Sequence, residues 1–217
     1  MTLDLTSVDH LLTTTHSVRK RLDFKRKVEP AVLQRCIEIA LHAPSGGNRQ
    51  GWHFVVVTDA DKKAEIARHY GKAWYAYNAG RRSAEGAPVD PQTERVRDSA
   101  QYLADHMHEV PALVIPCIEG RAESPEPAAQ AGLYGSILPA AWSLMLALRA
   151  RGLGSAWTTL HLVYEKEVAA ALNIPANITQ AALLPVAYFT GEDFKPAQRK
   201  PATERTHWNG WGGSPKR

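Results

Sequence analysis

The sequence predicts an α/β or α+β sandwich, helices packed on a single sheet, and three observations lead there. Four apolar runs rich in β-branched and aromatic residues, WHFVVVT, PALVIPCIE, GSAWTT and TQAALLPVAYFTG, alternate with longer segments of helical periodicity. The runs are almost continuously apolar, as in strands covered on both faces. The 217 residues are 44% hydrophobic and 22% charged, ordinary proportions for a chain that buries a core, so one domain over 1–217 is expected.

Asp9 to Thr15 reads as a short first helix. EPAVLQRCIEIALHA, from Glu29, is a clearer second one. Pro30 suits its first turn, Val32, Leu33, Cys36, Ile37 and Ala40 share a face, and Pro44 stops it. WHFVVVT is the first strand, and Asp59 or Asp61 can cap a third helix running to about Tyr77. GRRSAEGAPVDPQTER is polar and rich in turn formers; connections of that length in a compact domain serve as lids or are disordered, so a lid or insert over 80–95 is expected. Helix resumes at RVRDSAQYLADHMHEV, and PALVIPCIE is the second strand.

From Pro127 to Leu148 no residue is charged. That length raises a membrane span, but Gln130, Gly132, Ser136, Pro139 and Ser143 dilute it. A helix apolar on most sides fills a core or a subunit interface instead, and no membrane partner is expected. It ends near Arg151 and Gly152. GSAWTT is the third strand, YEKEVAAALN a short helix, TQAALLPVAYFTG the fourth strand, and 192–217 a polar tail.

The net charge is +4, with basic residues gathered at Arg19, Lys20, Arg21, Lys25, Arg26 and Lys27 and again at Lys195, Arg199, Lys200 and Arg205. An anion suits the space between two such clusters. Neither carries a nucleic-acid-binding motif, so no nucleic-acid partner is expected. Cys36 and Cys117 are too few for a disulfide framework, and MTLDLTSVDHLLTTT lacks a basic region followed by an apolar one, so a cytoplasmic location is expected. There is no nucleophile elbow, HExxH or GxGxxG, and His106 and His108 point to different sides of a helix, so neither a metal nor a Rossmann site is expected.

APSGGNRQGWHFVVV, from Ala43, is the one connection filled with uncharged polar residues around two glycines. A flavin or nucleotide ring needs amides at its polar edge, close backbone and no charge beneath it. Asn48 and Gln50 supply amides, Gly46 and Gly47 the close approach, and Ser45 a hydroxyl. A helix stop followed by a turn accounts for Pro44, Gly46 and Gly47, but not for the pair of amides.

HSVRKR from His16, APSGGNRQGWHFVVV, ARGLGSAWTT from Ala150 and QRKP from Gln198 follow one another over nearly the whole chain, in an order and spacing similar to the flavin-dependent nitroreductase family. The resemblance implies an α+β fold, a three-layer α/β/α sandwich with a central mixed sheet flanked by helices. It also implies FMN, and a homodimer in which the uncharged helix pairs across subunits and the tail 192–217 wraps the partner. Ser17 and Arg19 then resemble the phosphate and ribityl ligands, and Arg199 the second clamp on the phosphate, a task suited to a permanently charged fork. Many relatives carry Arg where this chain has Thr15, and His16 beside it is the candidate replacement. Pro44, Ser45, Asn48 and Gln50 resemble the flavin-loop contacts. Ala156, Trp157, Thr158 and Thr159 resemble the segment along the ring near its reactive nitrogen, where some relatives carry Glu in place of Thr159.

The activity implied is hydride transfer from NADH or NADPH to a nitroaromatic, quinone or similar small electron-poor acceptor, with no catalytic acid or base because the flavin carries the hydride. By analogy the scaffold also serves enone reduction, reductive dehalogenation and oxygen-dependent flavin fragmentation, and a flavin-binding sensor or storage protein without turnover is the rival from another class. Trp74, Tyr75 and Tyr77 are read as either core or acceptor pocket.

Overall fold

The computed structural model describes residues 3–84 and 90–214. Thr15–Glu192 make one compact body; the residues up to 14 and from 193 onward form a second unit.

The body is built on a five-stranded sheet of β1 (Trp52–Val57), β2 (Ala112–Glu119), β3 (Leu153–Ser155), β4 (Ile178–Gln180) and β5 (Leu184–Tyr188), in the order β1-β2-β5-β3 with β4 also beside β2. Among the described residues every pairing of named strands is antiparallel, in place of the mixed sheet expected. The connections explain it. Two helices, α3 (Ala60–Ala84) and α4 (Pro91–His106), join β1 to β2, and a down-and-up pair returns the chain to the end it left. One helix, α5 (Pro127–Arg149), joins β2 to β3, which share a direction but are separated by β5, antiparallel to both.

Helix starts follow capping chemistry. In α2 (Pro30–Ala40) Pro30 opens the first turn. At α3 the Lys62 amide donates to Asp59 Oδ1 at 3.0 Å, which selects Asp59 over Asp61. At α4 Asp90 accepts from the amides of Gln92 (2.9 Å) and Thr93 (3.1 Å), and Pro91 follows it. Asp90 and Pro91 are therefore a helix start rather than turn formers. Because α3 also runs past Tyr77 to Ala84, helix enters the expected 80–95 loop from both sides. Residues 85–89, the remainder of that lid expectation, lie outside the described residues.

The expected fourth strand divides into β4 and β5, and Pro116 supplies the reason. In a strand a residue's N–H and C=O point to the same side, and Pro116 O accepts from the Ala181 amide at 2.9 Å. The donor that proline lacks thus falls on that side, where the pairing of β2 lapses between Gln180 and Leu184. The third strand is shorter than GSAWTT and ends at Ser155, leaving Thr158 in an isolated bridge to Leu183.

All of β2 except Glu119 is buried. Ala112 and Val114 pack with Leu33, Cys36, Leu144 and Leu148 of α2 and α5. Leu113 and Ile115, which face the opposite way by the two-residue period, are as fully buried, so both faces are covered. The uncharged helix α5 is long and apolar enough to cross a membrane by length and composition, yet Ile137, Ala140, Ala141, Leu144, Met145 and Leu148 are buried within the chain. Cys36 and Cys117 are free thiols in this core, and burial pushes the Cys117 thiol up to about 12. Trp74 is core, its indole donating to Gln101 Oε1 at 2.8 Å. Tyr75 and Tyr77 are exposed. The chain continues from β3 through a tight turn, Leu160–Tyr164, into α6 (Glu165–Leu172).

In the second unit, α1 (Leu5–Thr14) starts earlier than expected because Asp4 accepts from the Thr6 amide at 3.1 Å and the Ser7 hydroxyl at 2.5 Å. His10 Nε2 lies 2.6 Å from Asp193 Oδ2. The tail has one short turn, Ala202–Glu204, and Trp211 is 94% exposed with its ring 4.4 Å from that of His207.

Candidate functional site

The first and third sequence motifs lie against each other. The Val18 amide donates to Ser155 O at 2.9 Å, so HSVRKR runs beside β3. The approach is close enough to require glycine: a Cβ on Gly154 would sit 2.9 Å from Val18 Cβ and 3.1 Å from Leu22 Cδ2. With Val18 and Leu22 buried, Arg19 projects towards the helices α3 and α4. Its Nη1 donates to Ser99 Oγ at 3.3 Å, while the Ser99 proton goes to Val96 O at 2.9 Å. Half-buried, Arg19 has no carboxylate partner among the described residues, and burial draws its pKa below the usual guanidinium range.

Tyr70, on α3, joins this group. Burial pushes its phenol up, while Arg19 and a hydrogen bond with Thr158 draw it back. Thr158 is buried and its Oγ1 also donates to Leu183 O at 2.7 Å, which ties its side chain into the body; Thr159 beside it is exposed. Trp157 is partly buried against the core beside α2 and α5. Ser17 is exposed and His16 half-buried on the same segment as Arg19.

The second motif is a separate construction. A single turn, Gly46–Asn48, places Gly47, Asn48 and Gln50 at φ of 60°, 51° and 55°. Glycine and asparagine accept the left-handed region readily, whereas Gln50 is held there at a cost. Ser45 Oγ accepts from the Gln50 amide at 3.1 Å, and Gly46 N donates to Ser136 Oγ of α5 at 3.0 Å. The two amide side chains are tied together, Gln50 Nε2 donating to Asn48 Oδ1 at 3.0 Å. The Asn48 Nδ2 donors and the Gln50 Oε1 acceptor make no hydrogen bond among the described residues. Pro44, Asn48 and Gln50 are exposed and Ser45 half-buried. A cleft of about 600 Å³ adjoins the turn, with Ser45, Arg49, Glu119, Gly132 and Ser136 in its walls.

These two groups are not neighbours within one chain. The loop feeds β1, Thr158 follows β3, and the order β1-β2-β5-β3 puts three strand spacings, about 14 Å, between those edges. Arg199 lies in the tail, exposed, with Nη1 donating to Gln198 O at 3.0 Å. Tyr70, Ser99 and Ser136 were not legible as site residues: each is a lone hydroxyl inside a helical pattern with no local signature.

Behind Thr159 the turn carries His161, fully buried, with neither ring nitrogen hydrogen-bonded among the described residues. Burial pushes its pKa down to about 4, against the pull of Glu165, so the ring is neutral near pH 7. Glu165 is held by Arg121 through two bonds of 3.0 and 2.9 Å, which lower its pKa.

Residues 12–188 match the model of the Nitroreductase family. The chain belongs to the nitroreductase family. Members of this family are generally oxidoreductases, and this one's relatives differ in their reactions. The chain is 30% identical over 169 residues to the 5,6-dimethylbenzimidazole synthase of Rhodospirillum rubrum, covering 74% of this chain and 72% of that one. A shorter stretch of 67 residues is 42% identical to an oxygen-insensitive NADPH nitroreductase of Helicobacter pylori, 31% of each chain. Among solved structures, an iodotyrosine deiodinase bound to FMN and 3-iodo-L-tyrosine superimposes with a TM-score of 0.66 at 25% identity, covering 88% of this chain and 93% of its own.

Proposed function

We propose that this nitroreductase-family protein is an FMN-dependent oxidoreductase that takes hydride from NADPH or NADH and reduces a nitroaromatic, quinone or other electron-poor small molecule. The observation that carries the reading is the half-buried Arg19 guanidinium, which among the described residues meets only a neutral hydroxyl and so needs an anion. A flavin phosphate or ribityl chain supplies the acceptors it lacks. The tied amides of Asn48 and Gln50 offer a donor at Nδ2 and an acceptor at Oε1, as a flavin's pyrimidine edge with both donors and acceptors requires. Together they fit FMN.

When bound, FMN supplies the hydride chemistry at the ring. The chain's own residues hold and orient it. Arg19, Ser17 and His16 anchor the ribityl phosphate end, Arg199 clamps the phosphate, and Trp157, Thr158 and Thr159 lie along the ring. Because Asn48 and Gln50 sit on the far edge of the sheet from Arg19, we assign them to the flavin of a second subunit. The protein is thus a homodimer, with α5 at its interface and the tail 192–217 around the partner. Buried thiols at Cys36 and Cys117 suit a cytoplasmic setting.

Cofactor released by heat and separated by chromatography is expected to be FMN, and light scattering to give a dimer. Anaerobic NADPH is expected to bleach the yellow protein and a nitroaromatic to restore the colour; bleaching that no acceptor reverses, or none at all, overturns the reading. The 30% identity to the dimethylbenzimidazole synthase favours a second reading, flavin fragmentation, tested by seeking 5,6-dimethylbenzimidazole after aerobic incubation with reduced FMN.

A further inference from the structure

The first basic cluster of the sequence is not a uniform solvated face, and following each cation to its partner separates its members. Arg19 meets Ser99. Lys20 pairs with Asp98. Arg21 donates to Thr190 O at 2.7 Å and to Glu192 O, and the Arg26 guanidinium lies 3.3 Å from the centre of the Tyr188 ring. The ammonium groups of Lys25 and Lys27 alone in this cluster make no hydrogen bond or ion pair among the described residues. Both line a cleft of about 510 Å³ whose walls also include Phe24, Thr58, Lys63 and Glu109.

Lys63 gives that cleft its character. The side chain is only 9% exposed, and its Nζ donates to the neutral Val110 O at 2.7 Å. Burial lowers its pKa and Asp59 raises it, yet no carboxylate lies within ion-pair distance among the described residues. Asp59 accepts from the Lys62 amide instead, and Glu109, the one acidic wall residue, is 2.5 Å from His106. Three lysines, one of them buried, therefore line a space whose carboxylate is engaged elsewhere. A buried charge with a single neutral partner is costly, and an anion with several oxygens removes that cost.

We propose that this cleft binds a phosphate-bearing anion at a site distinct from that of the flavin. Its geometry separates the two. Thr58 follows β1 and Pro111 precedes β2, whereas the Arg19 segment runs beside β3, two strand spacings or about 10 Å beyond β2, and the Ser45–Gly51 loop lies about 17 Å away at the Trp52 end. The oxyanions belong either to a free phosphate or to the phosphate of a nucleotide; Lys63 Nζ takes one oxygen, and Lys25 and Lys27 close on the others.

The test is calorimetric titration of the flavin-loaded protein with inorganic pyrophosphate, against chloride at matched ionic strength. Saturable binding is expected, weakened about tenfold or more in the Lys25→Ala/Lys27→Ala double variant, whose flavin content is unchanged. Both lysines are exposed, so this variant folds even if Lys63→Met does not. Arg19→Ala, which addresses the flavin, is expected to leave pyrophosphate binding intact. Displacement of pyrophosphate by NADPH or NADH assigns the oxyanion to a nucleotide; displacement by neither assigns it to free phosphate. Absence of saturable binding, equal binding by the double variant, or displacement by FMN overturns the proposal.

Discussion

Arg19 and the Ser45–Gly51 loop serve one proposed ligand from opposite edges of the sheet, and they are made in opposite ways. Arg19 extends from a segment pinned to β3 by Val18 and Gly154 and rests against Ser99 and Tyr70, inside the body. The loop is exposed, holds Gln50 in a strained backbone region, and is fastened to α5 by the Gly46–Ser136 bond. A half-buried cation must be positioned before the ligand arrives, since the packing that holds it is the packing of the core. An exposed amide pair is cheap to build and is finished by what it binds. Groups packed into the core around the buried edge should therefore report on global stability, and the loop on local order and affinity.

The largest expected effect concerns the buried edge. His161 has a folded pKa near 4 against 6.5 for the free residue. Between those values the unfolded chain binds the proton and the folded one does not. Stability is thus fully present above pH 6.5 and lost as pH falls towards 4, by about 3 kcal/mol in all. Denaturant midpoints at pH 7.5 and 4.5 should fall apart in the parent and converge in His161→Leu; a parent whose midpoint is flat across that window refutes the buried neutral imidazole.

Next come the cations. Removing Arg19 by Arg19→Ala should weaken FMN by about 10- to 150-fold, the range of a charge-assisted bond of roughly 1.5 to 3 kcal/mol, without lowering stability, because an uncompensated half-buried charge goes with it. Arg199→Ala should weaken FMN within the same range and leave the denaturation midpoint alone, since Arg199 is exposed and, among the described residues, bonded only to Gln198. Titration of deflavinated protein measures both, and unchanged dissociation constants remove the residue concerned from the site.

What could be read beforehand follows the same division. The four apolar runs located the sheet because burial on both faces writes itself as continuous apolar sequence, and Pro30 marked one helix start by local chemistry while Asp59 and Asp61 marked another without choosing between them. The direction of neighbouring strands was not legible, since it depends on counting helices between strands, and Asp90 with Pro91 read as a turn until the helix behind them was seen. For the site, the amides at Asn48 and Gln50 announce themselves as polar residues where the apolar rhythm stops. Tyr70 and Ser99 are long-range partners of Arg19, brought to it by the packing of α3 and α4, and no local pattern predicts that.

Smaller effects belong to the loop. Ser136 Oγ accepts from Gly46 N at 3.0 Å and donates to Gly132 O at 2.7 Å. In Ser136→Ala the Gly46 amide loses its acceptor, which should cost about 1 kcal/mol of local rather than global stability. Faster hydrogen exchange confined to 45–51, with the global midpoint barely moved, is the expected outcome; protection unchanged across the loop means that the bond does not hold it.

The smallest effect separates backbone from side chain. Asn48 occupies φ of 51° and also carries the amide donors assigned to the flavin edge. Asn48→Gly keeps the turn, since glycine accepts that conformation freely, and should leave stability within about 0.5 kcal/mol. It deletes Nδ2, so FMN should bind some 2- to 12-fold more weakly, the worth of one neutral hydrogen bond of roughly 0.5 to 1.5 kcal/mol. Asn48→Ala removes the same donors but must also hold a Cβ in the left-handed region, which adds about 1 kcal/mol of strain. If the glycine variant binds FMN as the parent does while the alanine variant does not, Asn48 shapes the loop and makes no contact with the ring. If both lose affinity equally, the amide itself is the contact, and the exposed edge of the sheet contributes chemistry as well as form.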